Sequence, residues 1–110
     1  INRLIDACAQ DEVGGLLAHP LPDTLKIESG GRAESTVQRD GKWLAQTPQM
    51  FRLGMLRQAL EAAGDAVTDE AGAIEHMGLK PLLVPAGAFN FKVTYPDDFA
   101  MAEAVLRSRR

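Results

Sequence analysis

The sequence predicts an α/β fold in which helices flank a mostly parallel β-sheet. Segments with the apolar spacing of amphipathic helices alternate with short runs typical of buried strands, and this alternation favours a layered α/β arrangement. With 45% hydrophobic and 25% charged residues, the composition is that of an ordinary globular protein. A chain of 110 residues suffices for one small domain with a modest core. We expect a partner subunit or further sequence to complete that core.

The first predicted elements are a helix and a buried strand. Apolar residues at helical spacing predict a helix over residues 1–11, namely Ile1, Leu4, Ile5 and Cys8. The glycine pair at 14–15 ends this pattern, and Leu16-Leu17-Ala18 then begins a short strand. The segment 19–22 contains two prolines and therefore cannot continue as a helix.

Residues 21–47 are predicted to form a protruding β-arm. Two or three strands are expected, over 23–27, 33–39 and 43–47, with tight turns at 28–32 and at Asp40-Gly41. Because the arm has few apolar residues, it carries no core of its own and needs another surface to lie on. Trp43 is expected to pack the arm on the body of the domain.

Two helices are predicted after the arm. Thr47 is expected to cap the first, with Pro48 as its first helical residue and Gly64 at its end. Its apolar face consists of Leu53, Leu56, Leu60 and Ala63. Thr68 is expected to cap the second helix, where the acids at 69–70 suit the positive end of the helix dipole. These acids are therefore interpreted as structural, although they resemble a catalytic carboxylate pair.

The remaining elements are two strands and a helix. Leu82-Leu83-Val84-Pro85 is predicted to be a buried strand. Strict alternation over residues 89–94 predicts a second strand, with Asn90, Lys92 and Thr94 on one side. A final helix is predicted from Pro96 through Leu106.

The charge and apolar patterns exclude nucleic-acid and membrane partners. The formal net charge is -3, and the basic residues are scattered rather than arranged in a stripe. Three arginines that end the chain, Arg107, Arg109 and Arg110, follow a predicted helix, where cations suit the dipole and are solvated. No apolar run approaches the roughly 18 residues of a membrane-spanning helix, and no segment resembles a signal peptide.

The single cysteine indicates a reducing compartment. Cys8 allows no internal disulfide and no CxxC metal site. It lies on the apolar face of the first helix and is interpreted as a buried, inert thiol. His19 and His76 lack partners at ligand spacing, so no metal site is expected in this chain. We expect a cytoplasmic protein.

Four segments, taken together, point to a family. They are Asp23-Thr24-Leu25-Lys26, then Gln46-Thr47-Pro48-Gln49 with Phe51, then Thr68-Asp69-Glu70-Ala71, and finally Asn90-Phe91-Lys92-Val93-Thr94. In this order and spacing they resemble the 2-C-methyl-D-erythritol 4-phosphate cytidylyltransferases, and the likeness extends over nearly the whole chain. Any one segment alone could arise by chance, whereas four in register are specific.

The resemblance implies a Rossmann-like nucleotidyltransferase fold and a homodimer in which each subunit extends its β-arm across the neighbour. It implies the partners CTP and 2-C-methyl-D-erythritol 4-phosphate, whose phosphate oxygen attacks the α-phosphate of CTP and releases pyrophosphate. Mg²⁺ is the expected cofactor. In such a displacement, positioning and charge neutralisation supply most of the catalysis.

The resemblance also implies three substrate-binding residues. Lys92 matches the family lysine that positions the methylerythritol phosphate, and a point cation at a strand end suits a phosphate dianion. Arg39 matches the arm arginine that reaches this phosphate from the neighbouring subunit, where a guanidinium can bind two oxygens. Thr24 matches an arm threonine that hydrogen-bonds the substrate across the dimer. Without the resemblance, ordinary surface roles would be the first interpretation of all three residues.

Two family features are missing from the chain. The family has a glycine-rich nucleotide loop with an arginine and a lysine, and an Asp-Ala-Ala-Arg-Pro segment whose acid holds Mg²⁺; neither occurs here. We therefore assign no catalytic, CTP-binding or metal residue in this chain. Because it begins with Ile1, inside a helical pattern, we predict that residues 1–110 are the C-terminal portion of a single cytidylyltransferase domain. This fragment alone is predicted to be inactive.

Two alternatives stay open. One is a non-catalytic module that binds sugar phosphate or dimerises without nucleotide chemistry. The other is a related pentitol-phosphate cytidylyltransferase, over which Arg39 and the segment 23–26 favour the methylerythritol enzyme.

Overall fold

A computed structural model describes residues 1–66 and 69–109 of the protein. A three-stranded sheet lies at its centre. Its strands are β1 (Gly14–Pro20), β4 (Trp43–Phe51) and β5 (Leu82–Pro85), in the order β4-β1-β5. β1 is parallel to β5 and antiparallel to β4. The sheet is therefore mixed, and the prediction of parallel strands with flanking helices is confirmed in part, for β1 and β5. β4 is antiparallel because the chain returns from β1 through a hairpin rather than through a crossover helix.

Helix α1 (Asn2–Cys8) covers one face of this sheet. Leu4 and Cys8 of the helix pack against Leu17 of β1 and Val84 of β5. Burial raises the pKa of the Cys8 thiol, and the nearby charge of Asp11 adds to the effect. The predictions of a first helix, a buried strand at Leu16–Ala18 and a buried, free Cys8 are confirmed.

A separate two-stranded hairpin follows β1. Its strands are β2 (Leu25–Ser29) and β3 (Arg32–Val37), which pair antiparallel around a turn at Gly30-Gly31. Every residue of β2 is exposed, and Val37 is the one residue of β3 that is partly covered. Of the predicted arm at 21–47, the structure assigns residues 43–47 to β4 of the central sheet, where Trp43 pairs with Pro20.

The predicted helix start at Thr47-Pro48 is wrong, because β4 continues to Phe51 and α2 (Leu53–Ala63) begins after Arg52. Phe51, Met50 and Gln49 pair with Gly14, Gly15 and Leu16 of β1, respectively. The register shifts just before these pairs, so that residues 46–48 lie opposite Leu17 alone. A proline lacks the N–H of a ladder bond, and such an irregularity accommodates it within a strand.

Helix α2 and helix α3 (Glu70–His76) form a second core. Ala59 and Ala63 of α2 pack against Ala73 and Ile74 of α3. Gly64 ends α2 as predicted, with φ +58. The predicted apolar face is only partly buried, since Leu53 is 81% exposed and Leu60 is 43% exposed.

Two predictions concern the last part of the chain, a helix from Pro96 and a strand over residues 89–94, and only the helix is confirmed. Helix α4 (Pro96–Ser108) begins at Pro96 as predicted, and among its described residues none is buried. The predicted strand at 89–94 is absent from the described structure, where residues 88–90 turn and 91–94 have no regular structure. The backbone N–H of Thr94 donates to the Asp98 carboxylate rather than to a neighbouring strand. This bond and a second from the Tyr95 N–H, which is the largest cause, lower the pKa of Asp98.

No helix in the described parts of the chain is both long and apolar enough to cross a bilayer. The predicted cap Thr68 and the last arginine, Arg110, lie outside the described residues.

Candidate functional site

A cleft of about 240 Å³ brings together three of the four segments that carry the family resemblance. Its walls are formed by β4, by the start of α3 and by the irregular segment before α4. The polar residues that line it are Gln46, Thr47, Gln49, Asp69, Asn90 and Lys92. Segments far apart in the sequence therefore meet around one cavity, which makes this cleft the candidate site.

Asp69 and Gln49 form one wall of the cleft and fix the start of α3. Asp69 is the N-cap of this helix, and its Oδ1 accepts from the Gly72 N–H at 2.7 Å. Its Oδ2 accepts from Gln49 Nε2 at 3.3 Å, while Gln49 Oε1 accepts from the Ala71 N–H at 3.1 Å. Oδ1 thus caps the helix and Oδ2 binds the Gln49 side chain, which agrees with the structural interpretation of Asp69. The cap is Asp69, one residue after the predicted Thr68.

Asn90 joins the opposite wall to β4. Its Nδ2 donates to Gln46 Oε1 at 3.2 Å and to the Thr47 carbonyl oxygen at 2.8 Å. Gln46 Nε2 in turn donates to the Gly87 carbonyl oxygen at 3.5 Å. Asn90 and Gln46 lie in two of the family segments, but the sequence pattern indicates no role for either of them.

Lys92 supplies the positive charge of the cleft. Its side chain is exposed, and within residues 1–66 and 69–109 its ammonium forms no salt bridge. Asp69 is the carboxylate in the same lining, and its oxygens already accept hydrogen bonds. An exposed lysine that lines a small cleft and has no carboxylate partner among the described residues can bind a phosphate group.

Thr24 and Arg39 lie at the base of the hairpin, where Leu25 pairs with Val37. Arg39 Nη1 donates to the carbonyl oxygen of Pro22, on the other side of this base. Both side chains are exposed, and neither lines the Lys92 cleft within this chain. The structure therefore brings Thr24 and Arg39 near each other and places Lys92 in a different part of the surface.

The sequence matches the model of one protein family, IspD, 2-C-methyl-D-erythritol 4-phosphate cytidylyltransferase, over residues 1–108. The chain belongs to this family. A bifunctional enzyme IspD/IspF from Albidiferax ferrireducens is 68% identical over 109 residues, which are 99% of this chain and 26% of that protein. A 2-C-methyl-D-erythritol 4-phosphate cytidylyltransferase from Bordetella petrii is 62% identical over 106 residues, 94% of this chain and 47% of that protein.

A solved structure of the cytidylyltransferase family has the same fold. The crystal structure of 4-diphosphocytidyl-2C-methyl-D-erythritol synthase superimposes with a TM-score of 0.89 at 44% identity, and the match covers 96% of this chain and 48% of that one. The chain thus spans about half the length of the single-function relatives it matches. The mixed α/β fold agrees with the nucleotidyltransferase structures of this family.

The described residues do not gather a metal site. Among residues 1–66 and 69–109, no three side chains of His, Cys, Asp or Glu lie close enough together to hold an ion. Asp69, the acid in the cleft, already accepts hydrogen bonds from Gly72 and Gln49. These residues do not fit a Mg²⁺ ion.

Proposed function

We propose that the full-length protein transfers CMP from CTP to 2-C-methyl-D-erythritol 4-phosphate and releases pyrophosphate. The observation that carries the proposal is the convergence of three family segments, Gln46–Gln49, Asp69–Ala71 and Asn90–Thr94, on the cleft that Lys92 lines. The family match over residues 1–108 supports the same activity. A cytoplasmic location stays a prediction.

In the proposed reaction, a phosphate oxygen of the sugar phosphate forms a bond to the α-phosphorus of CTP. The bond from this phosphorus to the oxygen that bridges it to the β-phosphate breaks, and pyrophosphate leaves with the electron pair. Lys92 binds the attacking phosphate and offsets part of its charge, so that it can approach the triphosphate. The Mg²⁺ that the family resemblance implies would be held by residues outside this chain.

We propose that this chain is the part of the enzyme that carries its sugar-phosphate side. The CTP loop and the metal ligand would then belong to the remaining half of the full-length protein. The absence of the family's glycine-rich loop and Asp-Ala-Ala-Arg-Pro segment from residues 1–110 supports this division.

We propose further that the enzyme is a homodimer and that the hairpin β2–β3 is its dimerisation arm. Two strands without a core are at best marginally stable by themselves and gain stability by packing on another surface. The exposed apolar side chains of Leu25 and Ile27 are available for such a contact. Thr24 and Arg39 at the base of the arm would reach the sugar phosphate bound next to Lys92 of the neighbouring subunit.

The activity itself is tested with purified proteins, CTP, Mg²⁺ and the sugar phosphate. We expect the full-length enzyme to release pyrophosphate with 2-C-methyl-D-erythritol 4-phosphate, and this chain alone to release none above a protein-free control. Faster release with a pentitol phosphate would favour the related enzyme class. No release with either substrate by the full-length protein would favour a non-catalytic module.

The arm is tested by complementation between two weak variants, Lys92→Ala and Arg39→Ala. Co-expressed with different affinity tags, they form mixed dimers in which one of the two sites has both native residues. If Arg39 serves the neighbouring subunit, about a quarter of all sites in a random mixture regain wild-type turnover. An Arg39 that served its own subunit would leave every site defective and the mixture as weak as its parents. The purified parent variants are the controls.

A further inference from the structure

The segment that carries Lys92 has no regular secondary structure to fix it. Residues 91–94 are neither helical nor part of the sheet, and the turn at 88–90 precedes them. A phosphate-binding cation must be held in a defined place to contribute to catalysis, because small displacements of reacting groups are costly. Some other contact must therefore hold Lys92.

Hydrogen bonds donated by its own backbone N–H groups hold the segment at both ends. At its start, the Ala86 N–H donates to the Ala18 carbonyl oxygen of β1 at 2.8 Å. At its end, the Thr94 and Tyr95 N–H groups donate to the Asp98 carboxylate at 2.9 and 2.8 Å. Between these ends, the described part of the chain offers hydrogen bonds to β4 only through the side chains of Asn90 and Gln46.

Asn90 is suited to this role by its amide. The NH₂ group has two hydrogens, and the two acceptors, Gln46 Oε1 and the Thr47 carbonyl oxygen, use one each. Thr47 and Gln46 themselves line the cleft, and Lys92 lies two residues after Asn90. The contact thus connects the segment that carries Lys92 to β4, on the other wall of the cleft.

We propose that Asn90 is a positioning residue, which holds Lys92 at the cleft through Gln46 and Thr47 and does not itself bind the substrate. This inference rests on the proposed role of Lys92. If this is so, Asn90 contributes to binding of the sugar phosphate only in an enzyme that has Lys92. A residue that merely stabilised the fold would contribute in either case.

The test compares Asn90→Ala in the wild-type enzyme and in the Lys92→Ala enzyme, with full-length protein, CTP and 2-C-methyl-D-erythritol 4-phosphate. In the wild-type background we expect the KM for the sugar phosphate to rise about tenfold while the KM for CTP stays unchanged. In the Lys92→Ala background we expect the same substitution to change kcat/KM by less than about twofold, as for coupled residues. Gln46→Ala should follow the same pattern in a weaker form, because the Thr47 carbonyl still accepts from Asn90.

The control is Gln58→Ala, which removes an exposed amide on α2 and should leave both constants unchanged. Equal losses from Asn90→Ala in the two backgrounds would overturn the inference, as would an unchanged KM in the wild-type background. If Lys92→Ala itself leaves the KM unchanged, the proposed phosphate site fails, and the inference fails with it. A thermal midpoint measured on each variant separates a loss of folding from a loss of positioning.

Discussion

Replacing Lys92 with alanine is expected to raise the KM for the sugar phosphate by roughly 10- to 100-fold in the full-length enzyme. A hydrogen bond to a charged group contributes about 1.5–3 kcal/mol, and each 1.4 kcal/mol is a factor of ten. The loss should be near the upper end, because the ammonium has no carboxylate partner among the described residues to offset its interaction with phosphate. This KM is measured from initial rates at varied concentrations of the sugar phosphate and a saturating concentration of CTP.

Two further variants decide whether the charge or its placement matters. Lys92→Arg keeps the charge but exchanges a point cation for a planar guanidinium, and should recover only part of the affinity. Lys80→Ala removes an exposed lysine that lines a different groove, beside Pro81 and Leu83, and should leave the KM unchanged. An equal effect of Lys80→Ala and Lys92→Ala would mean that overall charge, rather than this cleft, attracts the substrate.

Local patterns were sufficient to predict the elements whose structure is decided locally. The helical spacing of Leu4 and Cys8 predicted α1, and Pro96 with the following acids predicted the start of α4. In both cases the cue lies within a few residues of the element. The same holds for the turn at Gly30-Gly31, where two glycines adopt positive φ.

The wrong boundary at Thr47-Pro48 shows where local patterns fail. A threonine followed by a proline is a good helix start by itself. Here the pairing of Gln49 and Phe51 with β1 overrides this local preference. A local pattern does not show that pairing, because the partners are more than 30 residues away in sequence. The alternation over 89–94 failed for a related reason, since the Thr94 N–H bonds to Asp98 and Asn90 bonds to β4 through its side chain.

The candidate site could be predicted only through the family resemblance. An exposed lysine has no distinguishing local pattern, and the resemblance alone singled out Lys92. What neither spacing nor resemblance provided is the set of amide contacts made by Gln46, Gln49 and Asn90. These contacts join positions 20 to 44 residues apart in sequence and exist only once the fold has brought the segments together.

The largest effect on stability is expected from Gly14→Ala. Gly14 has a φ of +112, a conformation that residues with a Cβ rarely adopt. An added Cβ would overlap the Met50 carbonyl oxygen and would lie 2.9 Å from Cδ1 of Phe51. The strained φ and the overpacking together cost about 2–6 kcal/mol, a large share of the roughly 5–15 kcal/mol that stabilises a typical domain.

The matched control is Gly31→Ala, since Gly31 also has a positive φ, of +80, but nothing lies within 4 Å of the position of its Cβ. It should cost only about 1–2 kcal/mol, from the backbone conformation alone. Thermal unfolding of the full-length enzyme measures both, at roughly 2–4 °C per kcal/mol for a chain of that size. Equal shifts would contradict a role for the close approach. A much larger decrease of the melting temperature for Gly14→Ala would mean that β1 and β4 lie too close together here to admit a Cβ. Since β4 carries Gln46 and Gln49 to the cleft, the site depends on a glycine in the adjacent strand.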